Sequence, residues 1–416
     1  MCHFEQVRKS RKDLTTVQND IFYFYGKYSN MSLSNQKHLF DIPEEIIYLN
    51  IASQSPSFKS SETAGIKAVK EKTRPYLITT SRYFDPIIQL KKLFAKIVEV
   101  EDYNRIACIP SVSYGLSTVA NNIQLQEGDE IVLVEEQFPS NYYVWEKLAQ
   151  QYKAVIKIAK QPDATQGKGK QWNENILNAI TDKTAVVAMG NIHWANGTLF
   201  DVKAVRKKTL EHNSLLIIDG SQSVGALPFS VKEIQPDALI CAGYKWLFGP
   251  YGCAYAYFGS YFDNGNPIEE NWTNRLDSEN LSGLTNYQSK YKPLANRYSV
   301  GEHGSFIYVE MQIAALTELL RWKQMDIQNY CEIITSSSVS KLKEAGCFIE
   351  DSDFRAKHLF GVEMPISINL VSLKERLAKE NIFVSFRGNY IRISCHVFNT
   401  EKDIEKLTNC IIAELA

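Results

Sequence analysis

The chain has 416 residues with 46 basic and 47 acidic side chains, a formal net charge of −1, and is 44% hydrophobic, 12% aromatic and 22% charged. That balance gives no electrostatic draw toward nucleic acid or an acidic membrane surface, and the composition is globular, not disordered. A chain of this length suits one large α/β unit or two domains and buries roughly three quarters of its unfolded surface. No apolar run approaches the roughly 20 residues of a membrane helix. The N-terminal MCHFEQVRKSRKDL has no apolar stretch behind its positive charge, so no secretory signal is expected. The eight cysteines are scattered with no C-x-x-C pair, and read as reduced thiols of a cytoplasmic protein, with no metal site.

In chain order, residues 1–45 are polar and aromatic with weak periodicity and read as a loosely attached arm. Order is expected from IPEEIIYLNIAS onward. PIIQLKKLFAKIV reads as a helix, RIACIP as a strand, SYGLSTVANNI as a helix, EIVLVEE as a strand and SNYYVWEKLAQQY as a helix. KAVIKIA, TAVVAMG, SLLIID, DALICAG and CAYAYFG follow as strands. Apolar runs spaced by helices predict a mainly parallel sheet covered on both faces. Residues 160–172 read as a polar surface loop, and 260–300 as a long irregular segment of the kind that carries function. One long helix is predicted over FIYVEMQIAALTELLRWKQM, and KDIEKLTNCIIAEL closes the chain. The resulting division is a large domain over 46–304 and a small α+β domain over 305–416.

The chemistry concentrates in SLLIIDGSQSVGALPFSVKEIQPDALICAGYKWLFGPYG. One strand delivers Asp219 at its carboxyl end, where open α/β sheets place ligands, with Gln222 in the turn after it. The next strand delivers Lys245 between Tyr244 and Trp246. Burial among aromatics penalises the charged amine, which favours imine formation with a carbonyl. An aspartate in the same pocket would keep a pyridinium nitrogen protonated, and that pairing is what pyridoxal phosphate chemistry requires. The plain alternative is that Asp219 caps a helix and Lys245 is a surface residue.

D-G-x-Q-S at 219–223, with YKWLFGPYG at 244–252, resembles the class V aminotransferase group of fold-type I pyridoxal phosphate enzymes. Cysteine desulfurases, isopenicillin N epimerase and kynureninase are relatives of that group. The resemblance covers residues 46–410 and implies a Lys245 Schiff base, Asp219 on the ring nitrogen and Gln222 at the phenolic oxygen. IPSVSYGLSTV at 109–119 resembles the phosphate loop and implies that Val112 and Ser113 hold the phosphate at a helix N-terminus. Tyr244 resembles the kynureninase tyrosine that reaches this phosphate. EQFPSN at 136–141 puts Phe138 where the ring-stacking aromatic stands. NIHWANGTLFDV at 191–202 puts Trp194 at the family's asparagine near the cofactor oxygen, with His193 beside it. FRGNYIRISCHVFNT at 386–400 resembles the substrate-carboxylate region, with Arg392 as the clamp, Arg387 as a second anchor and Asn50 as a further active-site contact.

Desulfurases carry a nucleophilic cysteine shortly before the matching arginine, and KENIFVSFRGNYIR has none. Persulfide chemistry is therefore disfavoured. The resemblance implies an enzyme acting on a small amino acid and a keto acid. Transamination is the first expectation, a lyase or hydrolase the second, an epimerase the third, and a non-catalytic relic the outlier. It also implies a homodimer, with Arg297 or His303 reaching across.

Overall fold

In a computed structural model, residues 33–163, 166–365 and 368–415 are described. The strands are β1 (Ile47–Tyr48), β2 (Ile106–Ile109), β3 (Glu130–Val134), β4 (Val155–Ala159), β5 (Thr184–Gly190), β6 (Leu215–Asp219), β7 (Ala238–Ala242) and β8 (Ala254–Phe258). After a long irregular stretch come β9 (Leu359–Glu363), β10 (Ile382–Phe383), β11 (Ser385–Arg387) and β12 (Tyr390–Ser394). The helices are α1 (Lys59–Lys72), α2 (Ser81–Ile97), α3 (Val112–Asn121), α4 (Ser140–Tyr152), α5 (Lys168–Ala179) and α6 (Val202–Glu211). They continue with α7 (Val231–Ile234), α8 (Phe306–Leu319), α9 (Gln324–Glu344), α10 (Leu370–Lys379) and α11 (Glu401–Leu415).

Seven strands form a mixed sheet in the order β2-β8-β7-β6-β5-β3-β4, with β8 antiparallel to both neighbours and the other pairings parallel. Apart from the edge strand β4, the apolar runs are buried on both faces because helices cover both sides, as the continuous hydrophobic pattern requires. Because β8 runs backwards, the carboxyl ends of β2, β3, β5, β6 and β7 gather on one edge. Loops leaving that edge carry Ser113, Phe138, Trp194, Gln222 and Lys245 to one place.

β9, β11 and β12 form a second, antiparallel sheet. The segment after the expected start of order does not stay with the large sheet: β1 pairs with β10, and Asn50 bridges Ser394. α8 lies against α1 and α2. Three readings change. Of the expected arm, residues 1–32 fall outside the described residues, but 33–45 are packed: the Gln36 amide donates to the Val397 carbonyl at 2.7 Å, and Phe40 is 2% exposed. The polar-loop reading of 160–172 fails from Lys168, where α5 begins; its Trp172 is fully buried and donates Nε1 to the Ala159 carbonyl at 2.9 Å. One buried aromatic outweighs a polar surrounding sequence. The long helix predicted from Phe306 ends at Leu319, and α9 starts afresh at Gln324. The 260–300 segment is irregular, as expected, with only short 3-10 turns among its described residues.

Candidate active site

The strand ends enclose a cavity of about 210 Å³. Its wall includes Asp219, Lys245, Phe138, Trp194, Val112 and Ser113. Two loops explain why Lys245 points inward. Gly225 has a φ of +106°, and a Cβ there would run into the Trp246 carbonyl, so only glycine lets that loop lie against the lysine segment. Phe248 takes the left-handed conformation at φ +55°, costly for an aromatic, and is held by packing against Phe58 and His396.

Lys245 is 8% exposed, and its Nζ stands 5.6 Å from the Phe138 ring centre and 5.7 Å from that of Tyr244. The Nζ makes no hydrogen bond or ion pair among the described residues. Burial pulls the amine down to about 8; the Asp219 charge opposes this, and Arg392 and Arg387 reinforce it. Burial pushes the Asp219 carboxyl up, against the bond from the Ser221 amide at 3.0 Å and the attraction of Lys245. The amine is thus biased toward its neutral, nucleophilic form beside an acid.

At another part of the wall, α3 presents its N-terminus. Ser111 caps it, its Oγ accepting from the Tyr114 amide at 3.1 Å. The Val112 and Ser113 amides have no partner among the described residues, so two N–H groups remain for an anion at the positive end of the helix dipole. Phe138 and Trp194 meet edge to face at 5.3 Å, and the Trp194 Nε1 donates to the Glu136 carbonyl at 2.7 Å.

Arg392 is 2% exposed. It donates to the Trp194 carbonyl at 2.9 Å and to the Ser53 hydroxyl at 2.8 Å, with Ser385 at 3.4 Å. Asn50 stands one step behind, its Oδ1 accepting from Ser53 at 2.8 Å and from Ser385. Ser53 and Ser385 are the functional neighbours that sequence reading missed. Ser385 could have been found by period-two alternation from Arg387, whereas nothing local ties Ser53 to an arginine 339 positions away.

The amide of Gln222 is more occupied than expected: Nε2 donates to the Ala52 carbonyl and Oε1 accepts from Trp246 Nε1, both at 3.1 Å. Only its second N–H remains for a ligand. His193 is a structural histidine, fully buried, bonded to Asn196 at 3.0 Å and the Glu136 carbonyl at 3.2 Å, and pulled down to about 4 by burial. Tyr244 lies on the wall, its hydroxyl pushed up by burial. Cys395 is fully buried, with its thiol turned to the Lys357 carbonyl, and no cysteine lines the cavity among the described residues. Arg297 and His303 bond to carbonyls of their own chain, Gly265 and Val300.

A mixed sheet delivering a lysine and an aspartate to its strand ends is the architecture of fold-type I pyridoxal phosphate enzymes. Over residues 79–330 the chain matches the class V aminotransferase family, and it belongs to that family. Pyridoxal phosphate is its cofactor. The chain is 25% identical to the uncharacterized aminotransferase YcbU of Bacillus subtilis (strain 168), over 77% of this chain and 82% of that protein. It is 23% identical to a probable cysteine desulfurase of Borreliella burgdorferi, over 96% of this chain and 94% of that protein. Among solved structures, the cysteine desulfurase CsdA of Escherichia coli shares the fold at a TM-score of 0.75 and 16% identity, over 91% of this chain and 97% of that one. The cystine C–S lyase C-DES, in complex with its product cysteine persulfide, shares it at 0.79 and 18% identity, over 89% and 98%. Among the described residues no helix is long and apolar enough to cross a membrane.

Proposed function

We propose that the protein transfers an amino group between a small amino acid and a keto acid, with Lys245 as the residue that bonds the cofactor. The observation that carries this reading is the Lys245 amine, buried, unpartnered and biased to its neutral form beside Asp219. The donor set fits the cofactor: an amine for its aldehyde, the Val112 and Ser113 amides for its phosphate, and a carboxylate for its ring nitrogen. Phe138 supplies a face for the ring, with Trp194, Tyr244 and the remaining Gln222 N–H around it. When bound, the cofactor supplies an electron sink for the substrate α-carbon.

Arg392 holds the substrate carboxylate, because it is a buried guanidinium with only neutral acceptors, bonded to the carbonyl of Trp194 in the wall and close enough to Lys245 to act on its amine. Ser53, Ser385 and the Trp194 carbonyl orient it, and Asn50 fixes the two serines. The Lys245 Nζ, as a free amine, would move the substrate α-proton as base and then as acid. Asp219 would pair with the ring nitrogen and keep it protonated. Among the described residues no thiol lines the wall, which disfavours a cysteine-dependent sulfur transfer.

Borohydride reduction followed by peptide mapping should find the cofactor on Lys245; an adduct on another lysine refutes the attachment. In the unreduced holoprotein, amino acids should convert the bound cofactor to its aminated form with stoichiometric keto acid. Release of pyruvate or alanine from β-substituted amino acids would move the reaction to the lyase or hydrolase class. We infer a homodimer as well, supported by the exposed Phe138 and Tyr251 at the cavity. A monomer mass by sedimentation would refute it.

A further inference from the structure

Two arginines of the C-terminal sheet share one face and lack an anion. β11 pairs with β12 so that Ser385 faces Arg392 and Arg387 faces Tyr390. With period-two alternation, all four side chains lie on the same side of the sheet. Arg392 meets only a carbonyl and two hydroxyls. Arg387 donates from Nη1 to its neighbour's Phe386 carbonyl at 2.7 Å, and its guanidinium lies 5.5 Å over the Trp194 ring. The Nε of each arginine is buried without a partner. Neither arginine has an ion pair among the described residues.

A guanidinium stays charged inside a protein; Arg392 is buried, where uncompensated charge is costly, and Arg387 is half-buried. Arg387 is a cause of the lowering at Arg392, and both lower Lys245. Asp219 is the only carboxylate among the causes acting on Lys245, and the ring nitrogen of the cofactor claims it. One substrate carboxylate would satisfy Arg392 and leave Arg387 unpaired. The single hydrogen bond of Arg387 leaves from Nη1, so its Nε–Nη2 edge, the one that pairs side-on with a carboxylate, has no partner among the described residues. Trp194 holds that guanidinium plane in place, being itself fixed by the Glu136 carbonyl.

We propose that the substrate is a dicarboxylic amino acid, with its α-carboxylate on Arg392 and its side-chain carboxylate on the unpaired edge of Arg387. This rests on the assignment of Arg392 made above. The test titrates the holoprotein with unreactive acids that lack an amino group, reading binding by calorimetry. Succinate and glutarate are compared with butyrate and valerate. The dicarboxylates should bind about tenfold to a hundredfold tighter, the range of one charge-assisted bidentate pair. Arg387→Gln should erase that margin while the monocarboxylates keep their affinity, and Arg392→Gln should weaken both classes. No margin in the parent protein overturns the proposal. So does an equal loss for both classes in Arg387→Gln, because the two arginines would then share one carboxylate. Should Arg387→Gln not fold, Arg387→Lys keeps the charge without the fork; a reduced margin supports the proposal and an unchanged one overturns it. A persisting margin without any amination of the cofactor by acidic amino acids would sink the transamination reading alone.

Discussion

Lys91, in α2, and Lys245, after β7, are both buried amines, 3% and 8% exposed, and burial pulls each down to about 8. Their surroundings differ in every other respect. The Lys91 Nζ donates to Asn296 Oδ1 at 2.8 Å, beside the Cys108 thiol and the Lys292 charge, away from the cavity. The Lys245 Nζ has no partner, faces the cavity and feels a carboxylate. A depressed lysine is what burial alone produces. A reactive one also needs a free lone pair, room for a carbonyl and an acid within reach of the same space. The first lysine is held by an amide; the second is left open.

The largest test separates the two amines directly. Lys245→Ala should remove the borohydride-fixed cofactor and lower turnover on the order of ten-thousandfold, while Lys91→Met keeps the adduct. Loss of the adduct in Lys91→Met would make the open-versus-held distinction wrong. Next, Asp219→Asn should cost on the order of a hundredfold in turnover while the phosphate amides retain the cofactor, as measured by absorbance. Full activity in that variant would remove the ring-nitrogen role.

The smallest effect is a slope. Lys91 falls from 10.5 to about 8 on folding, so between those pH values the unfolded chain binds more protons than the folded one. Stability therefore rises with pH across that window, and the contribution is lost as pH falls through 8. Lys91→Met should flatten that part of the urea-midpoint profile. An unchanged slope would mean that Lys91 titrates as an ordinary lysine.

Much of this arrangement was legible in the chain itself. The apolar runs ending at Asp219 and before Lys245 mark strand ends, and a ligand site belongs there in an open α/β sheet. The capped turn at Ser111 signals the amides of Val112 and Ser113. What escaped was long-range pairing. Gln222 looks free in its turn, yet Trp246 and Ala52 take most of its amide. α5 hides in polar sequence because only Trp172 and a few neighbours face inward. The break between α8 and α9 spans residues 320–323 and closes on Lys323, whose extended backbone (ψ 137°) interrupts a pattern that hydrophobic spacing alone would continue.

The sequence by itself determined the class of fold, the cofactor lysine candidate and its aspartate, because strand periodicity and strand-end chemistry are local properties. Only the tertiary structure decided which arginines lack counter-ions, which histidines are silent and which lysine is open. Those are questions of what surrounds a group. Ser53 reaches Arg392 across 339 positions, and β1 pairs with β10 from opposite ends of the chain. Desolvation and hydrogen-bond satisfaction are set by such neighbours, and no spacing within one segment encodes them.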